Sequence, residues 1–109
     1  MYKGRADIVG AKKFIEQHRM GEFNHDAVAR SVNMSVSQLY NLFKQYADMP
    51  PGDYHKRVKV NHIKEKLADK NMMIAEAFAA CGEDSRGTYA RVFKEVTGTS
   101  PKEYRASLL

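Results

Sequence analysis

The sequence predicts an all-α chain of about seven helices, arranged as two similar units joined by a long linker helix. Three observations carry this reading. No stretch alternates apolar and polar residues as a half-buried strand does, and no Asn-Gly or Asp-Gly hairpin dipeptide occurs. Sliding the chain along itself by 50 residues, without a gap, aligns Ala27 with Ala77, Ala29 with Ala79, Ser35 with Ser85, Phe43 with Phe93, Lys44 with Lys94, Pro51 with Pro101 and Tyr54 with Tyr104. The pairs Val28 with Phe78, Leu39 with Tyr89 and Leu42 with Val92 share that register. Finally, residues that start or stop helices stand where the apolar periodicity changes.

The first helix is expected from about Ala6 to His18, where Ile8, Ala11 and Ile15 recur at helical spacing and Phe14 widens the stripe; Gly21 breaks it. A short second helix covers about Asp26 to Val32. Ser35-Val36-Ser37-Gln38 then forms a capping box, in which each side chain satisfies an otherwise unpaired amide, so the third helix starts near Val36. It carries Leu39, Leu42, Phe43 and Tyr46 on one side and ends before Pro50, because proline disfavours helical geometry in the residue ahead of it.

Pro51 suits the first turn of a fourth helix, about Pro51 to Ala68. At about 100° per residue, Tyr54 and Val58 fall on one side of it and Val60, Ile63 and Leu67 roughly opposite. Its two ends must therefore bury against different partners, as expected of a helix joining two lobes. Lys56, Arg57, Lys59, Lys64 and Lys66 are assigned to its remaining, solvated surface. The fifth helix, about Ile74 to Cys81, is matched to the second and ends at Gly82. The sixth, about Ser85 to Thr97, is matched to the third and stops at Gly98. Ser100-Pro101-Lys102-Glu103 combines a capping serine, a proline at the first helical position and a glutamate at the third, and opens a last short helix. The resulting division is residues 1–50, a linker helix 51–69, and residues 70–109.

Composition limits what such a chain can do. At 109 residues it can bury one modest core or two very small ones. Eighteen Lys and Arg against 13 Asp and Glu leave a formal charge of +5, which favours a polyanionic partner, nucleic acid before a membrane surface. The single cysteine excludes an internal disulfide framework and a Cys-rich zinc module. No apolar run approaches the roughly 20 residues of a membrane-spanning helix, and Met1 to Asp7 lack the apolar stretch of a secretory signal. A cytoplasmic location without membrane contact is expected.

A short helix, a tight turn and a longer second helix make a helix-turn-helix of homeodomain-like type, whose second helix can lie in the major groove of DNA. The chain holds two such patterns, Asp26 to Tyr46 and about Ala75 to Val96. At this point it resembles a known family, the AraC/XylS-type transcription regulators. Val28-Ala29, Ser35, Leu39 and Phe43-Lys44 are similar to the family's first unit, and Pro51 with Tyr54 to its following Pro-x-x-Tyr. Ile74, Glu76, Gly82, Arg91, Phe93-Lys94 and Gly98-Thr99-Ser100-Pro101-Lys102-Glu103-Tyr104-Arg105 resemble the signature of the second. The likeness runs from about Ile8 to Arg105. Departures are Glu83 where the family usually has Phe, Asp48 where it has Gly, Lys59 where the linker often has Arg, and Ile63 where it usually has Ala.

The resemblance implies that double-stranded DNA is the partner, with base-reading positions at Ser37, Tyr40 and Asn41 in the first unit and Arg86, Gly87 and Arg91 in the second. The chemistry suits most of them: arginine forks onto guanine O6 and N7, asparagine pairs with adenine, and serine serves several bases. Arg30, Lys44, Lys56, Arg57 and Lys94 are assigned to backbone phosphates. Gly87 is expected inside the sixth helix, where glycine costs about 1 kcal/mol relative to alanine. Glu83 and Asp84 place two acidic groups close to the expected path of phosphates. An 18-residue linker helix of about 27 Å suits two reading helices spaced by one turn of DNA, about 34 Å, on an asymmetric site.

The resemblance also implies RNA polymerase as a protein partner and a separate sensing or dimerisation domain, for which this chain leaves no room. It would then be a stand-alone regulator or the C-terminal part of a longer one. No cofactor, metal or small-molecule effector is expected within it, and no enzymatic activity. Cys81 reads as a small core residue rather than a nucleophile. His18, His25, His55 and His62 lack metal-ligand spacing, and no His-Glu-x-x-His or Gly-rich phosphate loop occurs. The alternative is a basic helical adaptor that binds protein or RNA without reading duplex bases.

Overall fold

The computed structural model describes residues 4–108. Seven helices follow one another, with no strand among the described residues: α1 (Gly4–Gln17), α2 (His25–Ser31), α3 (Val36–Tyr46), α4 (Pro51–Leu67), α5 (Ile74–Ala80), α6 (Thr88–Thr97) and α7 (Pro101–Ser107). The chain forms two compact units, Met1–Val58 and Lys59–Leu109, and the division falls inside α4.

In the first unit, α1 turns Ile8, Ala11 and Ile15 inward against Val28 and Ala29 of α2 and Leu39, Leu42 and Phe43 of α3. Tyr54 and Val58, from the first turns of α4, pack on the same cluster. Full burial of an aliphatic or phenyl side chain contributes about 1.5–3 kcal/mol, so this cluster is what holds three short helices together. The α3 start is local chemistry: the Gln38 amide donates to Ser35 Oγ at 3.1 Å, and the Ser35 amide donates to Gln38 Oε1 at 2.8 Å.

The second unit repeats the plan. Val60, Ile63 and Leu67 of α4 have the spacing of Ile8, Ala11 and Ile15, and they meet Ala77, Phe78, Cys81, Val92 and Phe93. Arg105 of α7 donates from Nε to the Leu67 carbonyl and from Nη2 to the Asp69 carbonyl, each at 3.2 Å, which satisfies acceptors left open where α4 ends. Ser100 and Glu103 form the expected capping box, with Pro101 as the first residue of α7. Gly98 closes α6 in the left-handed region at φ +83°, and Asp48 takes the same role after α3 at φ +55°.

Three expectations need correction. Helix α6 begins at Thr88, not near Ser85; Gly87 is its N-cap, with extended backbone at φ −95°, ψ −162°, and no interior glycine weakens the helix. The segment before it is a turn held by Asp84, whose Oδ1 accepts from the Arg86 amide at 2.8 Å and whose carbonyl accepts from the Gly87 amide at 3.0 Å. The ungapped 50-residue register also fails in α2 and α5. Buried Val28 and Ala29 correspond to buried Ala77 and Phe78, a shift of 49, whereas Leu42 and Phe43 correspond to Val92 and Phe93, a shift of 50. The stretch from α5 to α6 thus carries one extra residue. Finally, Lys59 is not on the solvated face of α4 but only 2% exposed.

Candidate nucleic-acid interface

In α3 the residues Ser37, Tyr40, Asn41 and Lys44 stand at i, i+3, i+4 and i+7 and are all exposed. Leu39, Leu42 and Phe43, on the other side, anchor the helix in the core. Core packing thus fixes which polar stripe faces outward. Tyr40, Asn41 and Lys44 also line a groove of about 300 Å³ with Asp48, Met49 and Pro50. The Tyr40 hydroxyl lies 3.3 Å from Nδ1 of His25, the first residue of α2. The rings meet edge to face, and His25 Nε2 is 3.8 Å from the Asp26 carboxylate. His25 is therefore a neighbour of the α3 stripe that sequence spacing did not reveal, because the contact spans 15 positions.

The second unit presents Arg86 and Gly87 in the turn and Arg91 in α6, all exposed. Thr88, the first helical residue, is exposed three positions before Arg91 and belongs to the same stripe; placing the helix start too early had hidden it. Arg91 Nε is 3.6 Å from Glu95 Oε1, with the two side chains 75% and 62% exposed. Such a pair on a helix surface contributes only about 0.2–0.5 kcal/mol, well below the roughly 1–3 kcal/mol of a bidentate base contact. It does not commit the guanidinium. Arg30, Lys44, Lys56, Arg57 and Lys94 are exposed, as phosphate ligands must be.

The carboxylates of Glu83, half-buried, and Asp84, exposed, are both already engaged. Glu83 Oε2 accepts from Lys59 Nζ at 2.6 Å, and Asp84 is engaged by the turn amides. The Lys59 ammonium also lies 5.1 Å from the centre of the Tyr89 ring. Burial, and then the Glu83 charge, push the Tyr89 hydroxyl pKa up. Cys81 is wholly buried. Among the described residues no three His, Cys, Asp or Glu side chains are placed to hold a metal ion, and no described helix is long and apolar enough to cross a membrane.

This arrangement matches known proteins. The helix-turn-helix domain family model matches residues 28–107. A solved AraC-type transcriptional regulator from Chromobacterium violaceum superposes with a TM-score of 0.86 at 25% identity, covering 95% of this chain and 93% of that one. The chain belongs to the AraC/XylS family.

Within that family, the arabinose operon regulatory protein of Escherichia coli strain K12 is 33% identical over 98 residues, 88% of this chain and 33% of that protein. The probable transcriptional regulator LumQ of Photobacterium leiognathi is 25% identical over 101 residues, 93% of this chain and 41% of that protein. The chain thus spans well under half the length of these curated relatives, and what it matches is an AraC-type DNA-binding domain. Seen as such a domain, Asp48 explains itself: the family's usual glycine would meet the left-handed φ after α3, and aspartate is among the few other residues that tolerate it.

Proposed function

We propose that this AraC-type domain binds duplex DNA sequence-specifically as a single chain. Ser37, Tyr40 and Asn41 read bases from α3, and Arg86, Gly87 and Arg91 read them from the turn and α6. Arg30, Lys44, Lys56, Arg57 and Lys94 contact phosphates. The observation that carries this reading is the α3 stripe, in which four polar side chains at helical spacing are exposed while the opposite three are locked in the core. Because two dissimilar triads do the reading, the preferred site is asymmetric. In the cell the domain acts in transcription regulation in the cytoplasm, with RNA polymerase as a protein partner and a sensing or dimerisation segment in a longer polypeptide.

Selection of binding sites from a random duplex pool tests this directly, because it returns site length, symmetry and base preference together. Asn41→Ala should then relax preference at one base pair. Lys44→Ala should weaken all duplexes alike and reduce the slope of log affinity against log salt by about one. Identical behaviour of the two variants would overturn the assigned roles. A protein without base preference would be the adaptor, not the reader.

A further inference from the structure

The second unit departs from the first where its short helix passes into the turn. The Met34 amide donates to the Ala29 carbonyl, and the Glu83 amide donates to the Phe78 carbonyl, so residues 34 and 83 occupy equivalent places. Each follows a residue in the left-handed region, Asn33 at φ +54° and Gly82 at φ +78°. Met34 packs its side chain on the apolar core of its unit. Glu83, in the same place, carries a carboxylate and lies 2.6 Å from the ammonium of Lys59, whose side chain is 3% exposed.

A buried lysine is costly to maintain, and an apolar pair of similar volume often holds a fold as well or better. The pair therefore calls for a role besides stability. Its placement supplies one. The single Lys59 ammonium touches Glu83 at the start of the turn and the Tyr89 ring in the first turn of α6. Between those two anchors run Asp84, Ser85, Arg86, Gly87 and Thr88, and α6 has no side-chain cap at Gly87 to fix its start. We infer that Lys59 and Glu83 are a positioning pair that sets the turn before α6, and with it the approach of Arg86 and Gly87 to DNA. The same contact holds the Glu83 charge against Lys59, where it repels phosphate less.

This inference rests on the proposed base-reading role of the second unit, and the experiment separates the two. Site selection and competitive binding are run on the wild-type domain, Lys59→Met, Lys59→Arg, Glu83→Gln and the double variant Lys59→Met/Glu83→Met, each with a melting curve. Asn41→Ala marks the part of the site read by the first unit. Lys59→Met and Glu83→Gln should lose about tenfold in base discrimination in the other part, with the part marked by Asn41 unchanged. Lys59→Arg should retain most of it. The double variant, with an apolar pair resembling the Met34 arrangement, should melt near the wild type yet remain poorly discriminating.

Glu83→Gln changes the more exposed partner and keeps the test valid if Lys59→Met does not fold. Uniform loss across both parts of the site, in proportion to unfolded protein, would reduce the pair to a structural contact and overturn the inference. So would full discrimination in the double variant. A wild-type domain with no base preference in the second part would overturn the reading beneath it.

Discussion

Replacing Gly87 by alanine distinguishes two placements of the start of α6, because the sign of the stability change differs between them. Inside a helix, Gly→Ala gains about 1 kcal/mol. At an N-cap, glycine is preferred over alanine, and the exchange costs about 0.5–1 kcal/mol. The backbone there, φ −95° and ψ −162°, is open to any residue, so no conformational strain is added. A β-carbon would stand 3.3 Å from the Asp84 carbonyl oxygen and 3.5 Å from Asp84 Cβ, close enough to oppose the turn slightly. The two placements thus differ by about 1.5–2 kcal/mol, which urea denaturation followed by circular dichroism resolves. The expected result is destabilisation by about 0.5–1 kcal/mol in Gly87→Ala, and a gain of a few tenths, roughly, in Gly87→Asn, whose side chain can accept an amide of the first turn. A gain of about 1 kcal/mol in Gly87→Ala would show that the helix continues back through residue 87 and would refute the N-cap assignment.

Two further outcomes follow from the geometry. Burial first, then the hydrogen bond to Glu16 at 3.0 Å and the Glu16 charge, push the Tyr54 hydroxyl up to about 12 from its ordinary 10. Its contribution to stability is therefore complete below the unfolded value and lost as pH rises from about 10 to about 12. Denaturation midpoints across that range should fall more steeply for the wild type than for Tyr54→Phe; parallel decline would disprove the coupling. Asp48→Gly should raise the urea midpoint, by an amount equivalent to about 1 kcal/mol, because it relieves a left-handed residue that carries a β-carbon. An unchanged or lower midpoint would show that the aspartate side chain compensates.

Legibility followed the range of the interactions. The starts of α3 and α7 could be read because Ser35 with Gln38 and Ser100 with Glu103 satisfy each other's amides within four residues. The two-sided burial of α4 could be read because Tyr54 and Val58 fall opposite Val60, Ile63 and Leu67 whatever they pack against. Lys59 could not, since a lysine at an apparently solvated position is buried only if a partner meets it, and that partner is 24 positions away. The pairing of Ser35 with Ser85 misled for a related reason. Identical residues suggested that the two helices begin alike, but the Asp84 turn runs on through Ser85, and α6 begins two residues later than that register gives, with Gly87 as its N-cap.

The two units therefore reach the same motif by different means, and the difference bears on where base recognition resides. In the first, the capping box starts α3 two residues before Ser37, so the side chains assigned to base reading all project from a helix whose start is set by its own sequence. In the second, two of the three assigned residues precede the helix, in a turn built from Asp84 hydrogen bonds and anchored through Lys59. A side chain on a capped helix has its direction set by the helix, whereas one in a turn has it set by whatever holds the turn. Exchanging base-reading residues within α3 should thus transfer preference as a local property. Exchanging Arg86 or Gly87 should instead carry a dependence on α4, from which Lys59 comes, so that substitutions at residues assigned no base contact shift preference in the second part of the site.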